Sequence, residues 1–132
     1  GEDAMQKVTF RPEEVIFTEG DPGDLCYRVV TGSVEIRLRP FEASAKRGQG
    51  EVIAKLGPGE IFGEMAIIDP GPRSATAVST GLTTCQAYTA DEVLEILRED
   101  PASAIDLVQT LIVKLRRTNR KLARLAAEAA RR

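Results

Sequence analysis

The stretch 62-FGEMAIIDPGPRSATAV-78 decides how this chain is read. Its ends are apolar, yet it holds a carboxylate (Glu64), a guanidinium (Arg73) and a hydroxyl (Ser74). Gly63 opens it and Asp69-Pro70-Gly71-Pro72 interrupts it. Glu60-Ile61-Phe62 reads as a strand running into Gly63, and Glu64 to Ile68 reads as a short helical turn. A strand–glycine–helix junction offers free backbone N–H groups and the positive end of a helix dipole, a combination that suits an anion such as phosphate. Gly63 lacks a Cβ, so the backbone approaches that anion closely. If the turn folds back, Arg73 in the next strand forks onto the same anion, and Ser74 adds a donor. Glu64 repels an anion and is better placed to accept from sugar hydroxyls. A sugar phosphate of low charge satisfies all of these groups. Singly, each has a plainer reading: a solvated carboxylate, a surface arginine, or the two paired with each other. Their combination in one apolar segment favours a ligand.

Upstream, from about Lys7, short apolar and β-branched pieces alternate with turns. Val15-Ile16-Phe17 precedes the turn Gly20-Asp21-Pro22-Gly23-Asp24; Leu25 to Val30 and Ser33 to Leu38 flank Thr31-Gly32. Residues 40–50 read as a polar, flexible loop. Val52 to Leu56 reads as a strand, followed by the turn Gly57-Pro58-Gly59. Arg73 to Ser79 and Leu82 to Thr89 read as a hairpin around Thr80-Gly81. This pattern predicts an antiparallel sandwich or barrel. After Thr89 the period changes to helical, from Ala90 to about Glu99. Asp100-Pro101 breaks the chain and restarts it, and Ala102 to about Ala130 contains no Gly or Pro, as expected of one helix about 40 Å long.

That helix carries a heptad. Val108, Leu115, Leu122 and Ala129 alternate with Ala104, Leu111, Thr118 and Leu125, a coiled-coil seam with Thr118 as its polar member. The plainer reading is an amphipathic helix lying on its own β-domain. The stripe outruns a small sandwich, which favours self-association of the distal half.

Composition narrows the function. The 132 residues are 42% hydrophobic and 29% charged, as in a single globular domain with a real core. No apolar run approaches the about 18 residues of a membrane span. Histidine is absent, which removes Ser-His and Cys-His catalysis and histidine metal clusters. Neither an enzyme nor a metal site is expected. Cys26 and Cys85 read as buried free thiols in a reducing, cytoplasmic compartment. Net charge is −2, but Lys114 to Arg132 holds eight basic residues against Glu128 alone, a net of +7 on an otherwise acidic chain. A basic helix face supports salt-sensitive nucleic-acid binding, or serves as the solvated flank of a coiled coil, the reading preferred here.

The segment F-G-E-M-A-I-I, followed by P-R-S-A-T, resembles the phosphate-binding cassette of the cyclic nucleotide-binding domain family. Val15-Ile16-Phe17 with Glu19-Gly20-Asp21, Gly23-Asp24 and Tyr27, then Gly32-Ser33-Val34 and Leu56 to Glu64, resemble the family's other strands. The resemblance implies a mainly β fold: an antiparallel jelly-roll-like β-roll over residues 1–100, with the cassette at 62–78. A long C-terminal helix over 101–132 would serve as lid and dimerisation helix. It implies Glu64 on the ribose 2′-hydroxyl and Arg73 on the cyclic phosphate, with Ser74 and the amides of Gly63, Met65 and Ala66 completing the cradle. The place of a base-contacting pair on the helix holds Thr118-Asn119. The implied function is a cyclic nucleotide sensor or regulatory domain, with ligand coupled to movement of the helix and no cofactor beyond the ligand. Family members selecting cyclic GMP often carry threonine after the cassette arginine; Ser74 here favours cyclic AMP over cyclic GMP. The implied assembly is a homodimer. No helix-turn-helix follows the long helix in these residues, so an output stage is expected elsewhere. The competing readings are a nucleic-acid-binding or partner-binding protein on a jelly-roll scaffold.

Overall fold

The computed structural model describes residues 6–39, 51–65 and 71–131. They form eight strands and two helices: β1 (Gln6–Phe10), β2 (Val15–Phe17), β3 (Leu25–Thr31), β4 (Val34–Leu38), β5 (Glu51–Leu56), β6 (Ile61–Phe62), β7 (Thr76–Ser79), β8 (Thr83–Thr89), α1 (Ala90–Glu99) and α2 (Pro101–Ala130). The strands make two antiparallel sheets, ordered β1-β8-β3-β6 and β2-β7-β4-β5. The expected polar loop at 40–50 lies outside the described residues. The chain divides into two units, Gly1–Val93 and Leu94–Arg132.

In the first unit, period-two alternation aims one face of each sheet inward. On β8, Thr83, Cys85 and Ala87 are buried, while Thr84, Gln86 and Tyr88 are less so. The core joins Phe10, Tyr27, Val29, Val34, Leu56, Phe62, Ala77, Cys85 and Ala87. Aromatic rings knit it together: Tyr27 stacks on Phe62 with centroids 5.1 Å apart, and Phe10 meets Tyr27 edge-on at 6.2 Å. Cys26 and Cys85 are both buried, and neither takes part in a disulfide.

The expected hairpin around Thr80-Gly81 is not formed. β7 pairs with β2 and β4, whereas β8 pairs with β1 and β3 in the other sheet. The connector Thr80-Gly81-Leu82 is therefore a corner between sheets. So is Gly32, between β3 and β4. A short glycine-bearing connector serves a hairpin or a corner equally well, and partner choice is settled by which strands bury the inward faces. The two corners are stitched together: Thr83 Oγ1 donates to Ser33 O (3.0 Å) and accepts from Ser33 N (3.2 Å), and Thr80 N donates to Ser33 O. These bonds satisfy Thr83, a wholly buried hydroxyl.

Both helices start on side-chain caps. Thr89 Oγ1 accepts from Glu92 N while Glu92 Oε1 accepts from Thr89 N, a reciprocal capping box. Asp100 Oδ1 accepts from Ala102 N and its Oδ2 from Ser103 Oγ, and Pro101 takes the first helical position. On α2, Val108, Leu115, Leu122 and Leu125 of the expected seam are each more than half exposed, while Ala104 and Leu111 are partly covered. Among the described residues no helix is long and apolar enough to cross a membrane.

Gly32 has φ +92°, and a Cβ there would stand 2.5 Å from both Leu82 O and Thr83 Oγ1. Gly32→Ala is expected to cost at least about 2 kcal/mol in urea unfolding. Gly57→Ala, where a Cβ meets nothing within 4 Å, should stay within about 0.5 kcal/mol of wild type. Burial pushes the Cys85 thiol from 9.0 up to about 11. The unfolded chain then loses this proton first, so the contribution is complete below pH 9 and is lost as pH rises to about 11. Cys85→Ala should flatten the early part of that alkaline loss. Burial also raises Tyr27 and Tyr88, and both add to the alkaline loss in the same direction.

Candidate functional site

β6 ends at Phe62, and Gly63 turns the chain with φ +76°, a conformation that favours glycine. A Cβ here would lie 2.9 Å from Arg73 Nη1 and 3.0 Å from Leu25 O. Glu64 follows and is buried at 6% exposure, and Met65 after it is exposed. Ala66 and the rest of the expected turn to Ile68 lie outside the described residues.

The chain does fold back. Arg73 N donates to Asp21 O and Gly20 N donates to Arg73 O, each at 2.8 Å, and Pro22 bridges Pro72 beside them. This locks the segment before β7 onto the Gly20–Asp24 turn. The Arg73 side chain then runs inward and is only 6% exposed. Its Nη2 donates to Leu25 O at 2.9 Å and its Nη1 to Gly63 O at 3.4 Å. Its Cζ lies 4.1 Å from the centroid of the Phe17 ring. Nε is buried with no hydrogen-bond partner among the described residues. Gly23 presses against this side of the group, since a Cβ there would fall 2.2 Å from Nε. A guanidinium carries five N–H donors; two are engaged, and three, that of Nε among them, have no partner among the described residues.

Ser74 is exposed, and its Oγ donates to Met65 Sδ at 3.5 Å. The structure thus brings Gly63, Met65, Arg73 and Ser74 together. Thr118 and Asn119 sit on α2, in the second unit, and both are exposed; the Thr118 hydroxyl donates to Lys114 O one turn earlier. Phe17 and the carbonyl of Leu25 carry no role in the sequence reading, and both hold Arg73. A main-chain carbonyl leaves no mark in a sequence. The ring left a faint one: an aromatic ending a strand just before a glycine-rich turn.

A profile of the cyclic nucleotide-binding domain matches residues 7–100. The chain belongs to the cyclic nucleotide-binding domain family. Within that family it is 33% identical over 121 residues to a CRP-like cAMP-activated global transcriptional regulator of Mycobacterium tuberculosis, covering 92% of this chain and 52% of that protein. It is 38% identical over 127 residues to the Cyclic AMP receptor protein of Thermus thermophilus, covering 96% and 56%. The crystal structure of the Thermus thermophilus Catabolite Activator Protein superposes with a TM-score of 0.83 at 34% identity, covering 98% of this chain and 58% of that one. The chain therefore spans about half the length of the curated relatives it matches. The two-sheet roll followed by a long helix is the fold of this cyclic nucleotide-binding domain.

Lysine in place of Arg73 keeps the charge but lacks the planar fork, leaving Leu25 O or Gly63 O unmet. Arg73→Lys is expected to lower the unfolding free energy of this cyclic nucleotide-binding domain by about 1–3 kcal/mol in urea titrations. An unchanged midpoint would show that the two carbonyls do not depend on the fork.

Proposed function

We propose that this chain is the ligand-sensing domain of a cyclic nucleotide-responsive protein and that cyclic AMP is its ligand. The observation that carries this reading is the buried Arg73 guanidinium, held at the opening made by Gly63 with N–H groups to spare. In this reading Arg73 takes the cyclic phosphate, and the Ser74 hydroxyl and the amides of Gly63, Met65 and Ala66 complete the cradle. Glu64 accepts from the ribose 2′-hydroxyl. Each charge-assisted contact contributes about 1.5–3 kcal/mol. The names of the relatives, cAMP-activated regulator and Cyclic AMP receptor protein, support the choice of ligand.

The output is a change in the long helix. The cassette closes on phosphate and ribose, and α2 shifts to cover the base, bringing Thr118 and Asn119 toward it. The shift is limited by the ligand's differential affinity for the two states. A second copy of the chain covers the exposed Val108, Leu115, Leu122 and Leu125 stripe, so that ligand alters dimer geometry. Residues 1–100 then act as the sensor and 101–132 as the lid and dimer helix.

Calorimetric titration is expected to show cyclic AMP binding more tightly than cyclic GMP. Arg73→Ala and Glu64→Ala should each weaken cyclic AMP at least about tenfold, the equivalent of about 1.4 kcal/mol. Undiminished affinity in both variants would sink the site assignment.

A further inference from the structure

The ring of Phe17 lies against Arg73, the one cationic side chain of the cassette. Phe17 closes β2, and the β2–β7 register slips between Val15 and Phe17: Val15 faces Val78 and Phe17 faces Ala77. Two steps on β2 thus match one on β7. Such a bulge re-aims the side chain that follows it. Phe17 is set by neighbouring rings, with centroids 6.0 Å from Phe62 and 6.2 Å from Tyr27. Arg73 Cζ lies 4.1 Å from its centroid, well inside the distance at which a cation is drawn to an aromatic face. Arg73 as a whole residue is 6% exposed, and such contacts strengthen as water is removed.

We propose that Phe17 is a positioning residue for the phosphate site, holding the plane of the Arg73 guanidinium so that its free N–H groups point at the ligand. The proposal rests on the reading of Arg73 as the phosphate ligand. The hydrogen bonds to Leu25 O and Gly63 O, the second long at 3.4 Å, pin two nitrogens. They leave the group free to rock about the line between those contacts. Nε has no partner among the described residues and so lends no hydrogen bond against that rocking; the Phe17 ring resists it, together with the Gly23 backbone that lies close to Nε. Gly63 completes the contact, because a Cβ there would meet Arg73 Nη1 at 2.9 Å and Phe17 Cε2 at 3.4 Å. A forked donor loses its advantage over a point charge when its plane is misaligned.

The test compares Phe17→Leu, which keeps apolar bulk and removes the π face, with Phe17→Tyr, which keeps the face. Cyclic AMP affinity is measured by calorimetry on the full chain, and thermal melting follows the fold. In the ligand-free protein the Arg73 Nε–Hε resonance, assigned by its loss in Arg73→Lys, reports ring-current shielding. Phe17→Leu is expected to weaken cyclic AMP about three- to tenfold and to move Hε downfield, while Phe17→Tyr stays within about twofold of wild type. A folded Phe17→Leu variant that binds as tightly as wild type would overturn the proposal. Equal losses in both variants, tracking melting temperature, would reduce the ring to a packing role. Failure of the wild-type chain to bind any cyclic nucleotide would overturn the phosphate reading and the affinity role with it. The Hε shift would still establish or refute the ring contact.

Discussion

A buried guanidinium must be met by acceptors, and the arrangement around Arg73 follows from that demand. Removing such an ion from water costs several kcal/mol unless its donors are satisfied. The protein meets it with two main-chain carbonyls, Leu25 O at the start of β3 and Gly63 O after β6, and with the face of Phe17 at the end of β2. The stretch from Phe17 to Leu25, far from Arg73 in sequence, and Gly63 therefore converge on one side chain. The glycines at 23 and 63 are what let them come so close, since a Cβ at either would strike the guanidinium. The same crowding leaves Nε without a partner among the described residues and three N–H groups uncommitted.

The sheet topology makes this convergence possible. Of the consecutive strands, β4 and β5 pair directly, while the chain passes between sheets after β1, β2, β3, β5, β6 and β7. Repeated crossing keeps β2, β3 and β6 at neighbouring ends of the roll, although 36 residues separate Leu25 from Ile61. The corners carry a matching cost in polar groups. Thr83 and Ser79 meet it with hydrogen bonds to the backbone: Thr83 Oγ1 donates to Ser33 O, and Ser79 Oγ donates to Arg11 O while Glu14 N donates to it. Such fully bonded hydroxyls are tolerated where an unpaired one would be expensive.

α2 has a different logic. Its sequence has good helix formers, a capped start and an apolar stripe, but several of the largest residues on that stripe are exposed in the single chain. Most helical stability comes from covering such a stripe. Thr118 bonds its own helix backbone rather than another side chain, the usual resting place of a hydroxyl inside a helix.

Much was legible in advance because it rests on local rules. The period-two runs, the helical change at Ala90, the Asp100-Pro101 restart and the continuous helix to Ala130 follow from short-range sterics, caps and apolar spacing. The fold-back between Gly63 and Arg73 stood in the sequence only as a condition, since Gly63 and Asp69 to Pro72 permit a reversal without imposing one. Strand partnership was not, because Thr80-Gly81 is equally good chemistry for a hairpin and for a corner. The sequence by itself determined which segments would be strands and helices, and that one cation would be placed in an apolar stretch. Only the tertiary structure decided which sheet each strand joins, and that the cation rests on Phe17, Leu25 O and Gly63 O. Those choices depend on which faces bury together and on backbone carbonyls, and neither is written in residue identity.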